Sequence, residues 1–158
     1  KKIPIEDILT PRSVIFALQH NDTVGKVMDE YEDINFSRIP IYKENIDNII
    51  GIIYKDTLLE TMADDNFDKT MADILDPVDT VFETHTVESV LNKFTKTRSH
   101  IFIVKDEFGG TTGIVTMEDC IETLLGVEIM DEPDEVADMR ELAKDQLRQK
   151  RQSEENGE

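Results

Sequence analysis

The sequence predicts an α/β (α+β) fold in which two pseudo-symmetric β-α-β-β-α half-domains pack sheet to sheet. The main observation is an internal repeat at a spacing of 62 positions. Residues 37–42 (Ser-Arg-Ile-Pro-Ile-Tyr) are echoed at 99–104 (Ser-His-Ile-Phe-Ile-Val), and 51–54 (Gly-Ile-Ile-Tyr) at 113–116 (Gly-Ile-Val-Thr). A period of about 60 residues is longer than most solenoid units and shorter than an ordinary domain. We therefore expect two half-domains that bury their faces against each other and leave paired clefts between them.

Each half begins with a short helical turn that a proline ends, and a short apolar segment follows as its first strand. The turns are 5–10 before Pro11 and 71–75 before Pro77, and the apolar segments are 14–16 and 81–82. The same order in both copies supports the repeat.

An amphipathic helix is the next element of each half. Asp22-Thr23 and His85-Thr86 supply N-caps for helices over 23–31 and 86–94. Apolar residues recur in both helices at the i, i+3, i+4 and i+7 spacing of one face. We expect these helices to keep a second face exposed once the two sheets have packed.

Two strands and a closing helix complete each half. The strands are predicted at 39–42, 49–54, 101–104 and 112–116, with residues 105–110 as the turn between the last two. The closing helices carry Leu58, Leu59 and Met62 in the first half and Ile121, Leu124 and Leu125 in the second.

The predicted boundaries are 1–64 for the first half, 65–127 for the second half and 128–158 for an acidic, charged connector. Residues 63–70 form the joint between the halves. The connector has a helix-forming composition with a thin apolar stripe, and we expect its last residues, 152–158, to be disordered.

Composition narrows the function classes. The net charge of −18 argues against nucleic acid as a partner, because a phosphate backbone requires clustered Lys and Arg. The apolar runs are a few residues long, well short of the ~20 that a membrane helix requires. The single cysteine, Cys120, excludes an intrachain disulfide and fits a reducing compartment. We expect its small side chain to be buried.

The duplicated Ser-x-Ile-x-Ile motif, with Gly-Ile-Ile-x-x-Asp at 51–56 and Gly-Ile-Val-x-x-Glu-Asp at 113–119, resembles a tandem CBS domain pair, or Bateman module, over residues 3–126. The second half, with 106–119 (Asp-Glu-Phe-Gly-Gly-Thr-Thr-Gly-Ile-Val-Thr-Met-Glu-Asp) and 128–132, is similar to the hemolysin-like CorC/CNNM group of magnesium and cobalt transport proteins. Residues 10–12 (Thr-Pro-Arg) fit the same group. The resemblance implies a regulatory module at the cytoplasmic face of the membrane that binds AMP or ATP, dimerises, and controls a membrane transport domain of the same full-length chain. It implies that the exposed faces of helices 23–31 and 86–94 meet in the homodimer.

The resemblance also implies a set of nucleotide contacts. Asp119 accepts hydrogen bonds from the ribose, and Thr116 reaches the ribose or the phosphate; on spacing alone Asp119 is equally explained as the N-cap of a helix that begins after it. Arg38 and His100, which correspond at the repeat spacing, flank the phosphate, with Arg12 or Arg98 as further cations. The full predicted set is Ile15, Phe36, Ser37, Arg38, His100, Ile114, Thr116, Glu118 and Asp119.

The symmetry-related cleft departs from this pattern. It would use Asp56 with Ser99, but Tyr54 stands where Thr116 stands in the other half, and Asp56 comes one residue early. We therefore expect one competent nucleotide site.

Two alternatives remain open, a ligand-free structural dimerisation module and a divalent-cation sensor. The sensor would use an acidic cluster through bound water, although such a cluster is also typical of a solvated surface. The cluster comprises Glu118, Asp119, Glu122, Glu128, Asp131 and Glu132.

Enzyme motifs are absent from the sequence. Gly109-Gly110 has no Lys-Ser/Thr after it, there is no Gly-x-Ser-x-Gly, and the three histidines have no zinc-like spacing with Cys120. The sequence therefore predicts a binding module and not an enzyme. It also predicts that ATP binding requires Mg²⁺, because the negative charges of the phosphates are repelled by a chain with a net charge of −18.

Overall fold

The structure of the protein is a computed structural model that describes residues 2–130, with side chains through residue 126. The predictions for residues 131–158, which form most of the connector, lie outside the described residues. Both sheets belong to one compact unit, Lys1–Cys120. None of the described helices combines the length and the apolar character that a membrane crossing requires.

The described residues form seven β-strands and five α-helices, numbered in chain order. The strands are β1 (Thr10–Pro11), β2 (Leu18–Gln19), β3 (Arg38–Lys43), β4 (Asn45–Tyr54), β5 (Thr80–Phe82), β6 (Ile101–Lys105) and β7 (Thr111–Thr116). The helices are α1 (Val24–Glu30), α2 (Lys55–Ala63), α3 (Met71–Ile74), α4 (Val87–Thr97) and α5 (Met117–Met130). Two 3-10 turns, Ile5–Asp7 and Arg12–Val14, lie before and after β1.

The strands form two sheets, one for each half. The first sheet has the order β2-β3-β4, and the second has the order β1-β7-β6-β5. In each sheet an antiparallel hairpin, β3-β4 or β6-β7, pairs with a parallel strand, β2 or β5, that precedes it across a helix. The β-α-β-β-α order predicted for each half is therefore confirmed.

The helix starts follow the predicted capping residues. The Thr23 hydroxyl accepts a hydrogen bond from the Lys26 N–H (3.1 Å), and the Thr86 hydroxyl accepts one from the Ser89 N–H (3.2 Å). The apolar faces of the helices are buried against the sheets, where Phe94 of α4 stacks on Phe102 at 4.0 Å between ring centroids. The core of the first half consists of Leu18, Val24, Val27, Ile34, Ile39, Ile41, Ile53, Leu58 and Met71.

The first strand of the first half lies later than the sequence predicts. Residues 12–14 form a 3-10 turn, Val14 is 64% exposed, and the strand that pairs with β3 is Leu18–Gln19. The reason is that β1, immediately before this segment, belongs to the sheet of the other half. The chain needs residues 12–17 to return to its own sheet.

Each repeat contributes its leading segment to the other half. Thr10 and Pro11 pair with Ile114 and Gly113 of β7, and Asp76 exchanges two backbone hydrogen bonds with Ile52 of β4 (2.9 and 2.7 Å). The sequence does not predict this crossing. The boundaries 1–64 and 65–127 therefore remain a prediction about where each sequence repeat begins and ends. They do not separate the two sheets, because each sheet includes backbone pairing with a segment from the other repeat.

The crossing explains the glycine that begins each Gly-Ile-Ile/Val motif. A Cβ on Gly51 would lie 2.5 Å from the Asp76 carbonyl oxygen, and a Cβ on Gly113 would lie even closer to the Thr10 carbonyl oxygen. These are backbone contacts that a small rotation of a side chain cannot relieve. Glycine is therefore required where each leading segment crosses the other sheet.

We predict that Gly113→Ala lowers the free energy of unfolding by about 3 kcal/mol, because the added methyl group overlaps the crossing backbone. Gly126→Ala is the control: apart from the neighbouring backbone of α5 itself, no described atom lies within 4 Å of its Cβ position, so alanine should leave stability unchanged or raise it by up to about 1 kcal/mol. Urea unfolding followed by circular dichroism measures both. An unchanged midpoint for Gly113→Ala would contradict the crossing.

Candidate functional site

The second half contributes the start of α5. The Asp119 N–H donates to the Thr116 hydroxyl at 3.3 Å, and α5 begins at Met117. Thr116 is therefore the capping residue, and Asp119 lies in the first helical turn. This corrects the prediction of a helix that begins after Asp119, because a threonine at the end of β7 caps the helix one turn earlier.

The start of β6 lies beside this helix start. The His100 carbonyl oxygen accepts a hydrogen bond from the Met117 N–H at 3.0 Å. The His100 and Glu118 side chains are exposed, while those of Thr116 and Asp119 are half-buried. The structure therefore brings together the four residues predicted around this helix start.

The first half repeats this arrangement around Arg38. The Ser37 carbonyl oxygen accepts from the Lys55 N–H at 2.9 Å, and Arg38 pairs with Tyr54 across the β3-β4 hairpin. The Arg38 Nε is buried and has no hydrogen-bond partner in the described part of the chain. A buried donor without a partner costs about 1–3 kcal/mol, so this guanidinium is suited to an anion that supplies the missing acceptor.

Phe36 extends this region towards Ile15. Its ring stacks on Phe16 with centroids 5.6 Å apart and an interplanar angle of 16°, and Phe16 in turn meets Tyr31 edge to face at 5.0 Å. Phe36 is nevertheless 51% exposed. An aromatic ring that is fixed on one side and open on the other offers a surface for a flat apolar ligand.

The crossing segment joins these residues to the second half. The pairing of Thr10 with Ile114 and the packing of the Arg12–Val14 turn against β7 hold the chain that leads to Ile15 beside the strand that carries Ile114 and Thr116. Contacts therefore connect Phe36, through Phe16 and this segment, with β7.

The strand register corrects the correspondence between Arg38 and His100. Ile41 pairs with Gly51, whereas Val104 pairs with Gly113, so β3 and β6 correspond at a spacing of 63 positions (41 to 104) and β4 and β7 at 62 (51 to 113). His100 therefore corresponds to Ser37. The residue that corresponds to Arg38 is Ile101, which is only 4% exposed.

The same register shows what the symmetry-related cleft lacks. Thr57 stands at the position of Asp119, Tyr54 at the position of Thr116, and Asp56 at the position of Glu118. The symmetry-related cleft therefore has no guanidinium at the position of Arg38 and no carboxylate at the position of Asp119.

Comparisons with known proteins agree with this architecture. Residues 5–64 and 71–126 match the family model of the CBS domain. The CBS domain of a bacterial CNNM/CorC family Mg²⁺ transporter superposes with a TM-score of 0.72 at 35% sequence identity, over 78% of this chain and 75% of that one. The chain belongs to the CBS domain family, as a CBS pair of the CNNM/CorC group. This confirms the resemblance inferred from the motifs.

Two further relatives of this CBS pair carry information on ligands and context. A structure of the CNNM/CorC CBS domain in complex with ATP has a TM-score of 0.72 at 35% identity, over 78% of this chain and 87% of that one. The magnesium and cobalt efflux protein CorC of Escherichia coli K12 is 38% identical over 85% of this chain and 46% of its own length. The chain spans less than half the length of the curated relatives it matches.

A cavity of about 210 Å³ lies between α1 and α2 of the CBS pair, and its lining residue Lys55 donates its N–H to the Ser37 carbonyl oxygen. None of the nine predicted site residues lines it. An ion pair of Lys55 with Asp33, 3.9 Å long, stands at its wall. The lining residues are Met28, Tyr31, Glu32, Asp33, Ile34, Lys55, Leu58 and Leu59.

The described residues contain no group of three or more His, Cys, Asp or Glu side chains that could hold a metal ion. Of the predicted acidic cluster, the side chain of Glu128 and the residues Asp131 and Glu132 lie outside what the structure describes.

Cys120 is fully buried, as the sequence predicts. Burial, followed by the negative charge of Asp119, raises the pKa of its thiol to about 11. The side chain therefore stays a neutral thiol at physiological pH and serves the core, since the thiolate is the reactive form.

Proposed function

We propose that this CBS pair is a regulatory module that binds one adenine nucleotide, AMP or Mg-ATP, and thereby controls an ion-transport domain in the full-length protein. The observation that carries the proposal is the buried Arg38 Nε, which follows Ser37 in the chain and has no hydrogen-bond partner among the described residues. Relatives support it: the CNNM/CorC CBS domain has been solved in complex with ATP, and a CBS-domain pair from Klebsiella pneumoniae, 25% identical, has bound AMP.

The predicted residues divide the nucleotide between them. Asp119 accepts hydrogen bonds from the ribose hydroxyls. The Thr116 hydroxyl accepts from the Asp119 N–H and keeps its own proton to donate to a nucleotide oxygen. Arg38, Ser37 and His100 bind the phosphate, with Glu118 at its outer edge.

The adenine ring is the flat apolar part of the ligand. It lies between Ile15 and Ile114, with Phe36 at its edge, and is held mainly by apolar contact. The role proposed for this site is binding, which requires no nucleophile or general base next to the phosphate.

The rest of the proposal concerns the full-length protein. Curated relatives are named as magnesium and cobalt efflux proteins, and the matched region covers 46% of their length. We infer that this module lies at the cytoplasmic face of the membrane and acts on a transport domain in the same chain.

We also propose a homodimer, with a different surface from the one the sequence predicts. The exposed residues of α1 and α4 are polar or charged, and the apolar residues of these helices are buried or half-buried. Among the described helices, exposed apolar side chains lie on α2, where Leu59 is 43% and Met62 is 36% exposed, and on α5, where Ile121 is 38% and Leu125 is 52% exposed. This α2 face, beside the 210 Å³ cavity, is better suited to a two-fold contact.

We predict that AMP binds and that Asp119→Ala weakens its binding by one to two orders of magnitude. A hydrogen bond to a charged group contributes about 1.5–3 kcal/mol, and each 1.4 kcal/mol is about tenfold in affinity. Asp56→Ala, at the corresponding start of α2, should change little. Calorimetric titration measures both variants.

Equal binding by the parent and by both variants would refute the site assignment. A parent that binds Mg²⁺ but no nucleotide would favour the cation-sensor alternative, and a parent that binds neither would favour a ligand-free dimerisation module.

We predict that the chain is a dimer at micromolar concentration, with a mass of about twice its 18.1 kDa. Leu59→Asp should shift it towards the monomer, because a charge would be buried in the contact. Ser89→Asp, on the exposed face of α4, is the matched control. Light scattering measures the mass. If Ser89→Asp dissociates the dimer and Leu59→Asp does not, the dimer contact lies on α4, as the sequence predicts, and not on α2.

We predict that ATP binding depends strongly on Mg²⁺ and that AMP binding does not. AMP carries about two negative charges and ATP about four, into a chain with a net charge of −18. The β- and γ-phosphates would approach Glu118 and its acidic neighbours, where Mg²⁺ relieves the repulsion. ATP titrations with and without millimolar Mg²⁺, at matched ionic strength, measure this, and equal affinities would leave a plain nucleotide site.

A further inference from the structure

Polar contacts around Asp47 join three separate segments of the chain. The Arg12 Nη1 lies 2.6 Å from the Asp47 Oδ1, and the Thr111 N–H donates to the same oxygen at 2.9 Å. The Arg12 Nη1 also donates to the Thr111 carbonyl oxygen at 3.1 Å, and the Lys105 Nζ donates to the Asp47 carbonyl oxygen at 2.5 Å. We call Arg12, Asp47, Lys105 and Thr111 the Asp47 clasp.

The clasp favours the charged form of Asp47. The Thr111 N–H and then Arg12 lower the pKa of the Asp47 carboxyl, so this group is ionised at neutral pH. Burial lowers the pKa of Lys105, while the charges of Asp47 and Asp106 act in the opposite direction. The contact of Arg12 with Asp47 is therefore a charge-assisted hydrogen bond, which is stronger than a neutral one.

The three segments come from both halves. Asp47 follows the β3-β4 turn of the first half, and Lys105 and Thr111 flank the β6-β7 turn of the second half. Arg12 follows the crossing strand β1 and lies three residues before Ile15. The clasp therefore fixes the segment that leads to the proposed adenine wall against β7 on one side and the first half on the other.

The clasp has no counterpart on the other side of the pseudo-symmetric pair. By strand register, Arg12 corresponds to Val78, Asp47 to Gly109 and Lys105 to Tyr42. None of these side chains can form the same ion pair. Like Arg38, Thr116 and Asp119, the clasp residues therefore occur at only one of the two sets of pseudo-symmetric positions. The clasp contributes no atom to the proposed ligand contacts.

We propose that the Asp47 clasp positions the nucleotide site by holding residues 12–15 in the place where Ile15 contacts the adenine ring. This inference rests on the proposed function. It also gives Arg12 a role other than a phosphate contact, since its guanidinium is already bonded to Asp47. When only a fraction of the molecules has the competent arrangement, the apparent affinity falls by that fraction, so a competent fraction of about one tenth weakens binding about tenfold.

The test is calorimetric titration of AMP into the 158-residue chain and its clasp variants. Asp47→Ala and Arg12→Met should each weaken AMP binding about tenfold. The double variant should bind AMP with the same affinity as the single variant that binds less tightly, because both substitutions remove the same Arg12–Asp47 contact. Arg12→Lys keeps a cation that can donate to Asp47 and should stay within about threefold of the parent.

Two controls separate positioning from other effects. Asp29→Ala removes the same charge from the exposed face of α1 and should bind AMP like the parent. Val27→Ala removes methyl groups from the core of the first half and so lowers stability without touching the clasp. Thermal unfolding measures its melting temperature alongside that of Asp47→Ala, so that an effect of lowered stability alone can be recognised. If Asp47→Ala does not fold, Asp47→Asn, which keeps an acceptor for the Thr111 N–H, replaces it.

Each outcome has one meaning. Parent-like binding by both clasp variants overturns this inference and leaves the proposed function intact, as does an equal loss of affinity in Val27→Ala. Failure of the parent to bind AMP removes the proposed function and this inference together. Loss in both clasp variants, with rescue by Arg12→Lys and no loss in the two controls, supports positioning by the clasp.

Discussion

The architecture depends on one reciprocal contact, in which the segment that precedes each half crosses onto the sheet of the other. The crossing requires a bare backbone at Gly51 and Gly113, and it brings the apolar residue at the start of each segment into the core of the opposite half. Met71 is thus part of the core of the first half, and the Ile5 N–H donates to the His85 carbonyl oxygen at 2.8 Å in the second. Neither sheet is complete without the other repeat, so the halves are expected to fold as one cooperative unit.

Local signals in the sequence were sufficient for most of the elements. Thr23 and Thr86 cap helices because a hydroxyl at that position meets the first-turn N–H groups whatever lies around it. Long-range features were not predictable in this way. A two-residue strand such as β1 has no periodicity, and its partner lies about a hundred positions away (10 to 114). The register of β3 was misjudged because the identical Ser37 and Ser99 suggest a spacing of 62, whereas the β3-β4 connection is one residue longer than the β6-β7 connection: Tyr42 pairs with Ile49, seven positions later, and Lys105 with Thr111, six positions later.

The candidate site shows the same division between local and distant information. Thr116 and Asp119 were found from a short motif within one half, and the structure changed only which of them caps α5. Arg38 was found as a cation, but its buried Nε follows from the packing of the β3-β4 hairpin and is invisible in the sequence. Asp47 was missed altogether, because its partners Arg12 and Thr111 lie 35 and 64 positions away and no repeated residue marks them.

These differences suggest how a symmetric scaffold acquires one functional side. The crossing and the glycines are shared by both halves, whereas the guanidinium, the carboxylate and the clasp occur on one side only. In a chain with a net charge of −18, an anion needs a local cation, and the cleft that has Ile101 in place of Arg38 cannot provide one there. On the proposed function, a bound nucleotide contacts both halves and the first turn of α5, and it favours whichever arrangement of these elements binds it more tightly. The proposed contact residue Asp119 lies in the first turn of α5, a helix that continues to Met130.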